Sequence, residues 1–193
     1  RASFRCGVAS MDTWFHRYAL QNQRAKNCAV YVSTWNEQVA GYYAICTGGL
    51  EKAAAPGSFA KGRPDPIPVI VLARLAVDER AQGKRVGKAL LRDALARCFT
   101  AASTIGAAAV VVHALDQQAK DFYLRHADFS ELPGEPLHLL LPMQGVAPLM
   151  EWATSRTTIA AALNREGDRH GATCSARPRR GCGVASDCCR SAS

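Results

Sequence analysis

Residues 69–77, VIVLARLAV, form a nearly unbroken apolar run interrupted only by Arg74. A short run of this kind, rich in β-branched residues, reads as a strand covered on both faces, which requires helices on either side of its sheet. The segment that follows narrows the choice further. DERAQGKRVG is charged and contains two glycines, and from Val86 onward Leu90, Ala94, Leu95 and Cys98 recur at helical spacing. The centre of the chain is therefore predicted to run from strand through a short basic turn into helix. The first N–H groups of such a helix lack partners, and its dipole adds positive potential there. With Gly83 and Gly87 allowing close approach and Lys84, Arg85 and Lys88 supplying charge, the turn suits a pyrophosphate. A basic helix start with two structural glycines is the plainer alternative.

The flanking segments supply the rest of an α/β domain. After Ser10, read as an N-cap, Met11, Trp14, Phe15, Tyr18 and Ala19 share one helical face. AVYVSTW and VAGYYAICTGG, separated by NEQ, read as an antiparallel hairpin. APGSFAKGRPDPIP, with four prolines, is expected to break all regular structure. AAAVVVHAL reads as a second buried strand, with His113 as a hydrogen-bonded core residue in preference to a catalytic base. Asp116 then caps the helix QQAKDFYLRHA, and LHLLLPM closes the set as a last strand. Arg74, a lone charge in a buried strand, must be paired or must face a polyanion.

With 193 residues and 48% apolar content, the chain suits one folded domain, expected over residues 1–151. Residues 152–193 draw mainly on Ala, Arg, Ser, Cys and Gly and are expected to form a disordered basic tail. The net charge of +8 suits an anionic partner such as RNA, with Arg17, Arg24 and Arg92 among the cations that would meet its phosphates. Cys6, Cys28, Cys46 and Cys98 are scattered among apolar neighbours and read as reduced core thiols. Cys174, Cys182, Cys188 and Cys189 match no zinc spacing, so no metal is expected. No apolar run is long enough to span a membrane, and RASFRCGVAS lacks a secretory pattern, so a cytoplasmic location is expected.

Neither a P-loop G-x-x-x-x-G-K-[ST] nor a dinucleotide-binding G-x-G-x-x-G is present. The turn instead resembles the acetyl-coenzyme A signature of GNAT-type N-acetyltransferases, Gln/Arg-x-x-Gly-x-Gly/Ala. Gln82 and Gly87 match its ends, and Arg85 stands where the first glycine belongs, expected there with ordinary helix-start angles. The blocks FRCGVASMDTW, GYYAI, PIPVIVLARLAVDERAQGK and HALDQQAKDFY together resemble the GNAT toxins of bacterial toxin-antitoxin pairs. The resemblance implies a mixed central sheet flanked by helices, with acetyl-CoA bound at the strand-turn-helix. It implies cofactor contacts at Leu75, Ala76, Val77, Gln82, Gly83, Lys84, Arg85, Val86, Gly87, Lys88, Asp116 and Phe122, and substrate contacts at Arg74, Arg92, Arg17 and Arg24. Tyr123 falls where the family keeps the general acid, and a phenol with pKa near 10 is protonated at neutral pH. The implied substrate is the α-amino group of aminoacyl-tRNA, the implied partner a ribbon-helix-helix antitoxin, and a homodimer stays open. The strand over residues 68–77 carries no carboxylate to act as base. An α-amine near 7.7–8.0 tolerates that absence better than a lysine does. A GNAT enzyme for another amine and a non-catalytic acetyl-CoA-binding regulator are the rival readings.

Overall fold

The computed structural model describes residues 3–146; the expected boundary near 151, the tail and its four cysteines lie outside them. Helix α1 (Ala9–Thr13) and helix α2 (Ala19–Arg24) are joined by a π-helical turn over Trp14–Tyr18. The N-cap is Val8, whose carbonyl accepts from the N–H groups of Met11 and Asp12, each at 3.0 Å; Ser10, expected at that cap, lies inside the helix. Asp12 ties down the entry instead, its Oδ1 accepting from the Cys6 N–H at 2.8 Å. The wide π turn also rotates the residues after it. Phe15 and Ala19 are buried, while Tyr18, expected on the same face, is 46% exposed.

Strands β1 (Ala29–Trp35) and β2 (Gln38–Leu50) form the expected hairpin. Its turn residues Asn36 and Glu37 both have positive φ, 49° and 60°, as a two-residue turn matched to strand twist requires. The proline-rich stretch is more ordered than its composition implies. It holds a single helical turn, α3 (Gly57–Ala60), just after a 3-10 turn at Lys52–Ala54, and Ala55 and Ala60 are buried. Strand β3 (Ile67–Val77) is central, and helix α4 (Val86–Ile105), strand β4 (Ala109–His113) and helix α5 (Gln117–His126) follow it. Strand β5 (Ser130–Leu132), not foreseen, pairs with β6 (Glu135–Pro142), and α6 (Met143–Val146) ends the described chain.

The six strands lie in the order β1-β2-β3-β4-β6-β5, antiparallel except for the β3–β4 pair. Alternation along the strands divides their side chains between two faces. Tyr43, Ile45, Ile70, Leu72, Val110, Val112, Leu139 and Leu141 pack beneath α4 and α5, against Leu90, Leu91, Leu95, Cys98 and Tyr123. On the other face, Tyr42 and Ala76 meet Phe4 of the N-terminal segment and Phe15 and Ala19 of the helical stretch after it, while Val69, Val111 and Leu140 meet the segment around α3. Cys98 is buried; Cys6, Cys28 and Cys46 are partly so, and all four are free thiols.

One irregularity shapes the candidate site. Ala44 pairs with Arg74 but Ile45 pairs with Leu72, so Ala73 is the extra residue of a β-bulge. Pairing of β3 with β4 stops at Leu72, opposite Val112. Beyond the bulge β3 runs on to Val77 with β2 as its one strand partner among the described residues, which leaves its β4-facing edge open within them.

Candidate functional site

The open edge of β3 leads directly to the N-terminus of α4. The connection is longer than a simple turn. Asp78 caps a 3-10 turn over Glu79–Ala81, its side chain accepting from the Arg80 N–H, and residues 82–85 then swing the chain into the helix. The first hydrogen bond of α4 runs from the Ala89 N–H to the Arg85 carbonyl at 3.1 Å, so the N–H groups of Val86, Gly87 and Lys88 lie ahead of it. No side chain caps this end, and no acidic residue stands in its first turn. An uncapped helix start with Arg85 and Lys88 exposed beside it is a site for a negative group.

The structure assigns the expected cofactor residues to different tasks. Leu75 and Val77 turn partly buried side chains toward α4, whereas Ala76 faces the N-terminal helices, so its backbone alone borders the open edge. The Gln82 amide donates to the carbonyls of Cys6 (3.1 Å) and Val77 (3.2 Å), pinning the N-terminal segment to the strand end. Gly83 has φ 74° and open space around its Cα. Lys84 places its ammonium 4.1 Å from the Trp35 ring centroid, away from α4's first turn and in a cation–π contact with the hairpin tip. Arg85 departs from expectation: at φ 64°, ψ 9° it is left-handed, a conformation that glycine enters more cheaply. A β-carbon on Gly87 would lie 3.5 Å from both Phe122 and Val77, an ordinary contact, so the packing of α4 against α5 and the strand does not itself require glycine here. Asp116 caps α5 as expected, accepting from the Ala119 N–H at 2.8 Å.

Tyr123 is 6% exposed, its ring set edge-on to Phe122 and Phe129 at 5.4 and 5.8 Å. Its hydroxyl makes no hydrogen bond to a described residue, and burial pushes the phenol above its ordinary range. It is thus a proton donor held neutral at physiological pH with its hydrogen uncommitted. The nearest carboxylate to the strand end, Asp78, is not its counterpart. Asp78 is buried, receives hydrogen bonds from the Arg80 guanidinium and from the Arg5 and Arg80 N–H groups, and is held down at about 2, chiefly by Arg80.

The expected cations are not one surface. Arg17 and Arg24 are exposed on the helices covering one face of the sheet, while Arg92 is half-buried on α4 across the other. Arg74 is exposed, not buried: its guanidinium donates to the Ala73 carbonyl at 3.0 Å and lies 5.6 Å from the Trp14 ring, without a carboxylate. His113, expected in the core, is exposed and stacked on His138, with ring centroids 4.0 Å apart. His138 was not foreseen, although VVVHAL and LHLLLP each place a lone histidine within an apolar strand, and that is the signal that would have paired them. Among the described residues no helix is long and apolar enough to cross a membrane, and no group of His, Cys, Asp and Glu could hold a metal ion.

The comparisons with known proteins fit this geometry. A tRNA-acetylating toxin of Mycobacterium tuberculosis (strain ATCC 25618 / H37Rv) is 43% identical over 148 residues, covering 77% of this chain and 89% of that protein. Among solved structures, AtaT complexed with acetyl-methionyl-tRNAfMet superposes with a TM-score of 0.69 at 30% identity, over 76% of this chain and 89% of that one. A mutant of the toxin AtaT bound to the C-terminus of the antitoxin AtaR and acetyl-CoA superposes with a TM-score of 0.67 at 28% identity, over 78% and 89%. The sequence pattern of the acetyltransferase (GNAT) family matches residues 5–129. With that match, and with an uncapped helix start beside an open strand edge, the chain belongs to the acetyltransferase (GNAT) family.

Proposed function

We propose that this protein transfers an acetyl group from acetyl-CoA to the α-amino group of aminoacyl-tRNA, and so arrests translation as the toxin of a toxin-antitoxin pair. The observation that carries the reading is the open edge of β3 running into the uncapped, acid-free start of α4, with the uncommitted Tyr123 phenol on α5 next to Phe122, whose ring lies against Gly87. The edge of β3 beyond Leu72, which pairs with no strand among the described residues, suits an extended chain, as a sheet edge does for an added strand. The N–H groups of Val86, Gly87 and Lys88 suit a pyrophosphate, with Arg85 and Lys88 adding charge. Bound acetyl-CoA supplies the activated acyl group. Tyr123 protonates the departing thiolate, and the absence of a carboxylate along β3 favours an acceptor amine of modest basicity over lysine. The M. tuberculosis relative and the AtaT complex with acetyl-methionyl-tRNAfMet support that acceptor.

The AtaT–AtaR complex supports an antitoxin partner, a ribbon-helix-helix protein is the expected type, and the cytoplasm is where charged tRNA is met. The test is to incubate the protein with labelled acetyl-CoA and a pool of aminoacylated tRNA. Label should appear on the aminoacyl group and not on deacylated tRNA, and Tyr123→Phe should slow transfer by about 10²-fold or more while leaving acetyl-CoA affinity nearly intact. Ready acetylation of lysine peptides or small amines, with none on aminoacyl-tRNA, would overturn the substrate while leaving the family in place.

A further inference from the structure

The acid has a place in the reading above, but the proton released by the acceptor does not. His113 is the last residue of β4 and pairs directly across the sheet with His138 of β6. Val112 and Leu139, their immediate neighbours, point into the core beneath α4 and α5, so both imidazoles lie on the opposite face with Val111 and Leu140. Their rings stack at 4.0 Å with planes 25° apart, and His138 Nδ1 lies 3.7 Å from Glu135 Oε2. The pair thus stands at the end of the strand whose separation from β3 opens the edge, on the face that α4 and α5 do not cover. Tyr123 belongs to the covered face. His113 is exposed beside the point where β3 and β4 part, so an acceptor reaching that point from the side of the N-terminal helices and α3 has the imidazoles on its own face of the sheet and the phenol on the other.

The groups facing His113 are few. From β6 they are His138 and Glu135; from β3, Arg74 shares the face but directs its guanidinium over Trp14. Partial desolvation, then the charge of His138, hold the His113 imidazole below its ordinary range against the weaker opposite pull of Glu135. Two imidazolium rings in a stack repel, so one ring of the pair is kept neutral and able to accept a proton.

We propose that His113 takes a proton from the α-ammonium group of the acceptor, with His138, stacked on it, as the residue that positions it. The proposal rests on the aminoacyl-tRNA reading. The N–H bond of the ammonium breaks as its proton moves to a ring nitrogen of His113. The freed lone pair forms the C–N bond, the thioester C–S bond breaks, and the thiolate leaves with the Tyr123 proton. His113, being exposed, returns its own proton to water, and the second ammonium proton leaves as the amide forms and restores the phenol.

Two measurements decide it. In the ligand-free protein, NMR titration of the imidazole carbons, assigned with His113→Gln, should show His113 titrating below an ordinary histidine and moving up in His138→Gln. In acetyl transfer to aminoacyl-tRNA, His113→Gln should lose about 10-fold or more in kcat/KM near pH 7 and recover toward the wild-type rate by about pH 9, where the amine has lost its proton unaided. Acetyl-CoA affinity and melting temperature should not change. An active wild-type protein whose pH profile is superimposable on that of His113→Gln would overturn this proposal alone. A wild-type protein that leaves aminoacyl-tRNA unlabelled would overturn the substrate reading and this proposal together.

Discussion

Arg85 holds a backbone conformation in which an L side chain crowds the following carbonyl, at a cost of about 1–2 kcal/mol. Replacing it with glycine removes that cost but gives the unfolded chain more freedom, so Arg85→Gly should stabilise the protein by about 0.5–1 kcal/mol, read as a raised denaturation midpoint. If backbone amides carry the pyrophosphate, acetyl-CoA affinity measured by calorimetry should stay within a few-fold; a far larger loss would mean that the guanidinium grips the phosphate. The sequence shows an arginine in a glycine position, but the sign of φ is a property of the turn and not of the residue. Asp78 offers a second residue-scale test. Its folded pKa, about 2, lies below the ordinary carboxylate value of about 3.9, so it contributes stability that is present above pH 4 and lost as the pH falls toward 2. Asp78→Asn should therefore lower stability at pH 6 by more than it does at pH 2, as urea melts at the two pH values would show. That partnership is invisible in DER, where two acids and one base in a row give no sign of which one is buried.

At the scale of elements, the long periodic pieces are legible: β3, α4, β4 and α5 occur where hydrophobic spacing puts them. What escapes has a common cause. The π turn at Trp14–Tyr18, the bulge at Ala73 and the short strand β5 are each set by how neighbouring elements dock, and a three-residue strand of sequence Ser-Glu-Leu carries no alternation to detect. The bulge matters most for the candidate site, because it lies where the pairing of β3 with β4 ends, next to the Leu72–Val112 pair. Docking also explains Gly41, whose neighbours in sequence give no hint of a close approach. A β-carbon there would lie 2.7 Å from Leu90 Cδ1 and 2.9 Å from the Ala76 carbonyl oxygen, so β2, β3 and α4 meet closely at this point. Gly41→Ala should cost about 1–3 kcal/mol, since the carbonyl cannot rotate away as a side-chain tip can. Gly87→Ala, with its nearest neighbours at 3.5 Å, should cost far less. Equal denaturation midpoints for the two variants would show that β2 and α4 yield more easily than this packing implies.

Over the whole molecule the excess charge is divided, and the division bears on how a tRNA would be held. The chain carries 24 Lys and Arg against 16 Asp and Glu, and residues 152–193 hold seven of those cations against three acids. Among the described residues the cations do not merge into one stripe: Arg17 and Arg24 flank one face of the sheet, and Arg85 and Lys88 begin the helix on the other. Each small group can meet only a few phosphates, so the C-terminal segment is the natural third contributor, even though its composition reads simply as a tail. Among the described residues the three apolar clusters draw on residues 4–143, and residues 152–193 contain few large apolar side chains, so ending the chain at 151 should leave melting temperature and acetyl-CoA binding nearly unchanged. Affinity for tRNA should respond differently. Its logarithm should fall linearly with the logarithm of salt concentration for the full chain, and the shortened chain should give a slope shallower by roughly one to three, one counterion for each phosphate that the segment neutralises. Parallel lines for the two chains would assign the phosphate contacts to the folded domain alone, and a shortened chain that melts many degrees lower would make the segment part of the fold.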